Sequence, residues 1–311
     1  MIRIGVDFGG TKIEAAALNP DGGFLSRVRV PNPGSYDAAL AAIRGLVDRV
    51  EQEAGGRGTV GVGAPGSVSP RTGVVRNANS VWLNGRPFRE DLENTLDRPV
   101  RLANDANCMV LSEATDGAAM GCHTSFGVIV GTGCGGGLVV DGRLVEGASG
   151  IAGEWGHISL PWPKPDEVPG PACWCGQSGC IEKWVSGTGF ERDFQAHTGR
   201  NERGAAIVAA ARAGDADAVA ALDRLIDRLG RALALLCNVL DPDIFVFGGG
   251  LSNLPELYER LPVVIQAYVF SDNWSGRLAP ATWGDSSGVR GAARLWPLHQ
   301  HIENGPMGVF S

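Results

Sequence analysis

Two similar strand–turn–strand segments constrain the fold of this chain more than any other feature. The first runs IRIGVDFG, a GGT turn and KIEAAALN within residues 2–19, and the second, TSFGVIVGTGCGGGLVVDGRLV, covers residues 124–145. In both, apolar residues in strand-like runs flank consecutive glycines that predict a tight turn. Each segment opens a mixed α/β region. The repetition therefore predicts two related domains with a boundary near residue 119.

The remaining periodicity is also that of an α/β protein. TVGVGAPGSV, RPVRLAND and DIFVFGGG read as strands. Apolar residues at spacings of three and four predict helices over 36–55, 106–121 and 286–298, and two more over about 204–240. A proline-rich loop occupies 161–172, and residues 298–311 read as a poorly ordered tail.

Composition and charge exclude several classes of protein. Hydrophobic residues make up 44% and charged residues 20% of the 311, as in ordinary globular proteins. The net charge of -7, without a run of lysines or arginines, argues against a nucleic-acid partner. No apolar run is long enough for a membrane helix, and the N-terminal segment lacks a secretion signal. We therefore expect a cytoplasmic protein that binds neither nucleic acid nor membrane.

The glycine turns are candidate phosphate sites. In DFGGTK (7–12), backbone N–H groups, Thr11 and Lys12 could bind phosphate oxygens, and Asp7 could hold hydrated Mg²⁺. A tight hairpin explains this motif equally well. GTGCGGG (131–137) contains G-x-G-x-x-G, but a dinucleotide site needs a helix next, whereas LVVDGRLV reads as strand, turn and strand. A second phosphate-binding hairpin fits better. GGGLSN (248–253) is a third glycine turn.

Six motifs taken in order identify a family. DFGGTK, LANDANC, GTGCGGG, GEWGH, CWCGQSGCIE and GGGLSN resemble the ROK family (repressors, open reading frames, kinases) over residues 2 to about 297. GSVSPRTGVVRNANSVWLNGRPF and GDSSGVRGAARLW most resemble its bacterial fructokinases that also accept mannose. The resemblance implies a ribonuclease H-like (actin-like ATPase) two-domain α/β fold with the active site in the cleft. It implies a small domain, 1–118, completed by a C-terminal helix within 288–311, and a large domain, 119–287, that carries a zinc module.

The resemblance also implies the site residues. Taken alone, Asp105 in LANDANC reads more readily as a helix N-cap; within the family it matches the general base that accepts the proton of the sugar hydroxyl. Asn79 is a further candidate for the sugar pocket. The sugar contacts implied are Gly66, Asn104, Asp105, Glu154, His157 and Glu182. The residues implied for binding ATP and Mg²⁺ are Asp7, Gly9, Gly10, Thr11, Lys12, Gly131, Thr132, Gly133, Gly249 and Gly250.

CWCGQSGC (173–180) raises the question of a metal site. In a reducing cytoplasm, close cysteines are more often metal ligands or reactive thiols than a disulfide. With His157 the pattern becomes H-x15-C-x-C-x4-C, and one nitrogen and three thiolates suit tetrahedral Zn²⁺. His157, Cys173, Cys175 and Cys180 match the family's zinc module, which implies a structural zinc. Free thiols, one of them easily oxidised, are the alternative.

The resemblance implies an ATP-dependent hexose kinase. We expect D-fructose to become D-fructose 6-phosphate, with mannose and glucose as secondary substrates. An N-acetylhexosamine or glucose kinase of the same family is the alternative, because isomeric sugars are distinguished by single hydrogen bonds. A sugar-responsive transcriptional regulator is a more distant one, since such relatives carry a DNA-binding module before the first phosphate motif and DFGGTK here begins at residue 7. A homodimer is expected by resemblance.

Overall fold

Two five-stranded sheets form the framework. The structure is a computed structural model and describes residues 1–297. In the first sheet the strand order is β3-β2-β1-β4-β7. Its strands are β1 (Arg3–Phe8), β2 (Lys12–Leu18), β3 (Phe24–Pro31), β4 (Thr59–Ala64) and β7 (Val100–Asn104). A short hairpin, β5 (Ser67–Val68) with β6 (Val75–Arg76), lies between β4 and β7 in the chain.

The second sheet repeats the first. Its order is β10-β9-β8-β11-β12, and its strands are β8 (Thr124–Val130), β9 (Cys134–Val140), β10 (Arg143–Val145), β11 (Ile244–Gly248) and β12 (Arg277–Pro280). In each sheet the first three strands form an antiparallel meander, and the last two are parallel to the first. The duplicated α/β arrangement and the actin-like fold expected from the sequence are thus confirmed. Because strand β9 follows GTG directly, the dinucleotide interpretation of GTGCGGG is excluded.

Helices complete both halves. The elements that follow the first hairpin are α1 (Tyr36–Ala54), α2 (Phe88–Leu96) and α3 (Asp105–Asp116). The second half contains α4 (Glu182–Val185), α5 (Gly187–Thr198), α6 (Gly204–Arg212), α7 (Ala216–Leu240), α8 (Pro255–Tyr268) and α9 (Ser287–Arg294). The helices expected over 106–121 and 286–298 are therefore shorter than predicted. The predicted tail, 298–311, lies outside the described residues.

Helices α3 and α9 form an inner layer between the two sheets. Helix α3 packs chiefly on β8 and β9 of the second sheet, whereas α9 packs on β1 and β4 of the first, and the two helices contact each other. Backbones approach closely here: a Cβ on Gly291 would lie 1.7 Å from the carbonyl oxygen of Cys108, and one on Gly5 would lie 1.9 Å from that of Val289. Only glycine permits these contacts.

Each sheet has its own apolar core. One core joins the first sheet to α1 and α2, and the other joins the second sheet to helices α4 to α8. The predicted boundary near residue 119 falls in the connection between α3 and β8, and the limits of the two domains stay a prediction. Within residues 1–297, none of the helices is both long and apolar enough to cross a membrane.

The helix crossing generates a stability prediction. We expect Gly291→Ala to lower the free energy of unfolding by about 3 kcal/mol or more, because overpacking against a rigid backbone cannot be relieved by a rotamer change. Urea denaturation measures this. The matched control is Gly45→Ala in α1, where a Cβ meets no atom within 4 Å and helix propensity predicts a gain of up to about 1 kcal/mol. Equal stability of the two variants would contradict the role of the crossing.

Candidate active site

A cavity of about 1040 Å³ lies between the two halves. This volume is at the upper end of the range of about 300–1,000 Å³ that is typical of small-molecule sites. The segments that follow β4 and β6 and the start of α3 line one side. The turn after β8, the loop after β10 and the start of α4 line the other. Among the residues predicted from the sequence, the lining includes Gly66, Asn79, Asn104, Asp105, Gly131, Thr132, Gly133, Glu154, His157 and Glu182.

Asp105 is the first residue of α3 and lies on the cavity wall. The N-cap is the preceding residue, Asn104, whose Oδ1 accepts a hydrogen bond of 2.6 Å from the N–H of Asn107. The N-cap interpretation thus applies to Asn104. The Asp105 carboxylate accepts the N–H of Ala106 at 2.8 Å and can face a ligand. Surrounding protein removes hydration and raises the pKa of Asp105, although that N–H opposes the shift.

Two further carboxylates and a histidine line the same cavity as Asp105. Removal from water raises the pKa of Glu154, His157 opposes the shift, and the charges of Asp105 and Glu182 add to it. Glu182 begins α4, and its Oε2 accepts the N–H of Cys134 at 3.1 Å. Sugar hydroxyls that lose water need such partners, so this ring of polar groups suits a neutral sugar.

The backbone at position 66 requires glycine. Its φ of 82° is in the left-handed region, and a Cβ would lie 2.4 Å from the carbonyl oxygen of Arg76. The backbone after β4 can therefore form the cavity wall beside β6. Asn84 shapes the adjoining loop by bonding both the N–H and the carbonyl of Ala78, at 2.9 and 3.0 Å.

The second glycine turn is held by the start of α5. Gly187 N–H donates to the carbonyl of Gly131 at 2.7 Å, and Thr188 Oγ1 donates to the carbonyl of Thr132 at 2.8 Å. Thr188 also lines the cavity. Sequence reasoning missed this contribution. The signal was present in the run SGTG, where Ser186 caps the helix by accepting the N–H of Gly189.

The first glycine turn lies outside the cavity lining. Gly9 N–H donates to the carbonyl of Lys12 at 3.0 Å, which closes the β1–β2 hairpin, and Asn32 Nδ2 donates to the carbonyl of Gly9 at 2.7 Å. The third turn packs closely on the second. A Cβ on Gly249 would lie 2.6 Å from the carbonyl oxygen of Val130. Gly10, Thr11 and Gly250 belong to these two outer turns, and the structure does not bring them to the cavity wall.

Asp7 is the second-last residue of β1 and lies next to the start of α9. A Cβ on Gly288 would lie 3.1 Å from the Asp7 carboxylate. Burial raises the pKa of Asp7 to about 6, and the charges of Asp105 and Glu14 add to the rise. Among the described residues, the Asp7 carboxylate makes no hydrogen bond or ion pair. An unpaired, partly buried carboxylate of this kind could hold Mg²⁺ directly or through its water.

The four residues of the predicted zinc module converge. The ligand atoms of His157, Cys173, Cys175 and Cys180 all lie within 4.8 Å of one another. The Sγ atoms of Cys175 and Cys180 are 3.6 Å apart, and His157 Nδ1 is 3.7 Å from Cys173 Sγ. Tetrahedral zinc with Zn–S bonds of about 2.3 Å needs sulfur separations of about 3.8 Å, so the set fits this ion. Because Nδ1 faces the sulfurs, Nε2 remains for the cavity.

A buried ion-pair network anchors the proline-rich insert that connects His157 to Cys173. Glu167 Oε1 accepts hydrogen bonds from Arg228 and Arg231 of α7, at 2.8 and 2.7 Å. Burial alone would raise the pKa of Glu167, but these arginines lower it to about 2. Arg228 also lies 4.4 Å from the centroid of the Trp184 ring in α4. Helix α7 thus supports both the insert and the helix that begins at Glu182.

The repeated sheets, the cleft and its ring of polar side chains define a sugar kinase with the actin-like ATPase fold. The chain belongs to the ROK family, whose model matches residues 3–299.

Three relatives illustrate the similarity. The chain is 41% identical over 296 residues to an N-acetyl-D-glucosamine kinase of Pectobacterium atrosepticum, which covers 94% of this chain and 97% of the relative. A ROK hexokinase from Thermus thermophilus superposes with a TM-score of 0.84 at 37% identity, covering 94% of this chain and 97% of that one. A ROK family glucokinase from Streptomyces griseus, in complex with glucose and AMPPNP, gives 0.76 at 30% identity, covering 95% and 99%.

These relatives correct one expectation. The ROK family is confirmed, but the curated relatives at 38–41% identity are N-acetyl-D-glucosamine kinases and not fructokinases. The resemblance to fructokinases rested on 66–88 and 284–296. Most of the first stretch is turns and loops beside the cavity, where sequence varies without a change in fold.

The unpaired carboxylate of Asp7 generates a pH-dependent prediction. Because its folded-state pKa is raised, the protonated form stabilises the fold at low pH, and this contribution is lost as pH rises from about 4 through 6. Asp7→Asn should therefore raise the free energy of unfolding at pH 7.5 by about 1–3 kcal/mol, and the gain should disappear near pH 4. Denaturation at several pH values measures this.

Asp116 is the control of opposite sign. Burial favours a higher pKa there, but hydrogen bonds and charges of Arg294 and Arg290 dominate and lower it. Asp116→Asn should lower stability at pH 7.5. A loss of stability in Asp7→Asn at pH 7.5 would contradict the raised pKa of Asp7.

The converging thiols generate a metal prediction. We expect about one zinc per chain by elemental analysis, and close to none in Cys175→Ser. Loss of zinc frees the loop that carries Glu182 and His157, so the KM for sugar should rise by about tenfold or more, while the KM for ATP changes little. Cys237→Ser, a cysteine on α7 outside the cluster, is the control that should keep its zinc. Full zinc content in Cys175→Ser would refute the site.

Proposed function

We propose that the chain transfers the γ-phosphoryl group of ATP to the 6-hydroxyl of N-acetyl-D-glucosamine. The observation that carries the substrate is the 41% identity to a kinase of that sugar over 94% of the chain. The hexokinase and glucokinase relatives support a hexose in the same cleft. N-acetyl-D-glucosamine takes the place of the D-fructose expected from the sequence.

Asp105 is the proposed general base. Its carboxylate is held at the start of α3 by a hydrogen bond from the N–H of Ala106, and its other oxygen lone pairs can accept the proton of the 6-hydroxyl. As that proton moves to Asp105, the sugar oxygen forms a bond to the γ-phosphorus, and the bond from phosphorus to the bridging oxygen breaks with its electron pair leaving on ADP. In a loose transition state, orientation of the attacking oxygen matters more than basicity.

Other residues orient the sugar and receive the phosphates. Sugar hydroxyls around Asp105 would be bound by Asn104, Glu154, His157 and Glu182. The backbone at Gly66 would form a further part of the pocket wall. The N–H groups of the first and second glycine turns, with Lys12, would face the phosphates. Magnesium bound with ATP near Asp7 would supply neutralisation of charge on the phosphate oxygens.

A coupled ADP-release assay with Mg-ATP tests the proposal. We expect the highest kcat/KM for N-acetyl-D-glucosamine, compared with glucose, mannose, fructose and N-acetylmannosamine, and a fall in kcat of about 10²–10⁴-fold for Asp105→Asn because proton transfer is lost. Asp48→Asn, which changes an exposed carboxylate of α1, should behave like wild type.

The alternatives predict other outcomes. The highest kcat/KM for fructose would restore the original expectation, and the highest for glucose would favour a glucokinase. An active Asp105→Asn variant would reject Asp105 as the base, whichever sugar is used.

A further inference from the structure

Trp174 occupies an unusual position between two of the metal-site cysteines. It is the central residue of Cys173-Trp174-Cys175 and lines the same cavity as Glu182 and His157. Its side chain is nevertheless large, apolar and 60% exposed. Exposed tryptophan at a cavity wall suits contact with a ligand, because burial of the ring against an apolar surface is favourable.

The polar edge of this indole is already engaged. Nε1 of Trp174 donates to Oε1 of Glu182 at 3.0 Å, while the other oxygen of that carboxylate accepts the N–H of Cys134. A carboxylate offers about four acceptor positions, so about two remain free. Since an indole N–H can only donate, Trp174 fixes the carboxylate without competing for the hydroxyl groups that Glu182 would bind.

The ring itself is held at one edge. It meets the His157 imidazole edge to face, with centroids 4.7 Å apart and planes at 86°. His157 and Glu182 are thus both contacted by one side chain, which in turn is carried by the loop of converging thiols. Because the residue is 60% exposed, much of the indole surface remains accessible at the cavity wall.

We propose that Trp174 is a sugar-contacting and positioning residue. Its indole N–H holds the Glu182 carboxylate toward the cavity, and its exposed ring covers an apolar C–H surface of the bound N-acetylhexosamine. The inference rests on the proposed function for the identity of the sugar. The positioning role alone applies to any sugar that Glu182 binds.

Two variants separate these contributions. Trp174→Phe keeps a ring but removes the N–H, and Trp174→Ala removes both. Loss of a hydrogen bond to a charged group predicts a rise in the KM for N-acetyl-D-glucosamine of about tenfold in Trp174→Phe, with kcat and the KM for ATP nearly unchanged. Trp174→Ala should raise the sugar KM further.

Tryptophan fluorescence gives a second readout without ATP. Titration of the wild-type protein with N-acetyl-D-glucosamine should change the emission, and Trp174→Phe should lose most of that change although seven of the eight tryptophans remain. Trp162→Phe is the matched control. Trp162 is 45% exposed on the neighbouring insert, but its ring contacts that of Tyr268 at a tilt of 35°, with centroids 5.2 Å apart, and it does not line the cavity.

The outcomes distinguish this inference from the proposed function. A sugar KM within twofold of wild type in both Trp174 variants, with the fluorescence response intact, overturns it while leaving an active kinase. Loss of bound metal together with loss of affinity also overturns it, because the effect would then pass through the thiol loop. If wild type phosphorylates no sugar yet shows a fluorescence response that Trp174→Phe lacks, the proposed kinase activity fails and the contact stands.

Discussion

The close crossing of α3 and α9 is the contact on which the rest of the structure depends. Gly291 places the backbone of α9 against that of α3, and Gly5 and Gly61 let α9 lie directly on β1 and β4. Helix α3 in turn rests on the second sheet. Each half of the chain therefore contributes a helix that packs on the sheet of the other half, and the inner face of each sheet is covered by that helix.

The crossing also positions two carboxylates of the candidate site. Helix α3 begins at Asp105, and the second residue of α9, Gly288, lies against the Asp7 carboxylate. The carboxylates of Asp7 and Asp105 are thereby held in one partly desolvated region, where burial and then the charge of Asp105 raise the cost of ionising Asp7. Evolution commonly retains such unfavourable charge where a cation or a substrate proton is to be bound. The local instability and the proposed function have the same structural origin.

Local sequence patterns predicted the parts of the fold that depend on neighbours in the chain. Both hairpins, the start of α3 and the His-Cys cluster follow from glycine turns, capping residues and ligand spacing, together with the family motifs. Contacts between residues far apart in the chain could not be predicted from these local patterns. The carboxylate of Glu113 accepts N–H groups of Thr282 and Trp283, about 170 residues away in the chain, and Glu167 meets α7 in the same way. Thr188, which the sequence analysis missed, lines the cavity and contacts Thr132, which is likewise far away in the chain. For the sugar, the relatives favour the N-acetylhexosamine alternative over D-fructose, a choice that depends on single hydrogen bonds.

The distribution of charge in the cleft suits a neutral sugar better than a charged one. Asp105, Glu154 and Glu182 place three carboxylates around the cavity, and their mutual repulsion helps to raise the pKa of Glu154. The hydroxyl groups of a neutral sugar donate hydrogen bonds to such a site. A sugar phosphate brings negative charge into it and is repelled. In the proposed function the phosphates lie at the glycine turns, away from these carboxylates, where Lys12 would add a positive charge. The same carboxylates that favour entry of the neutral substrate thus favour departure of the phosphorylated product.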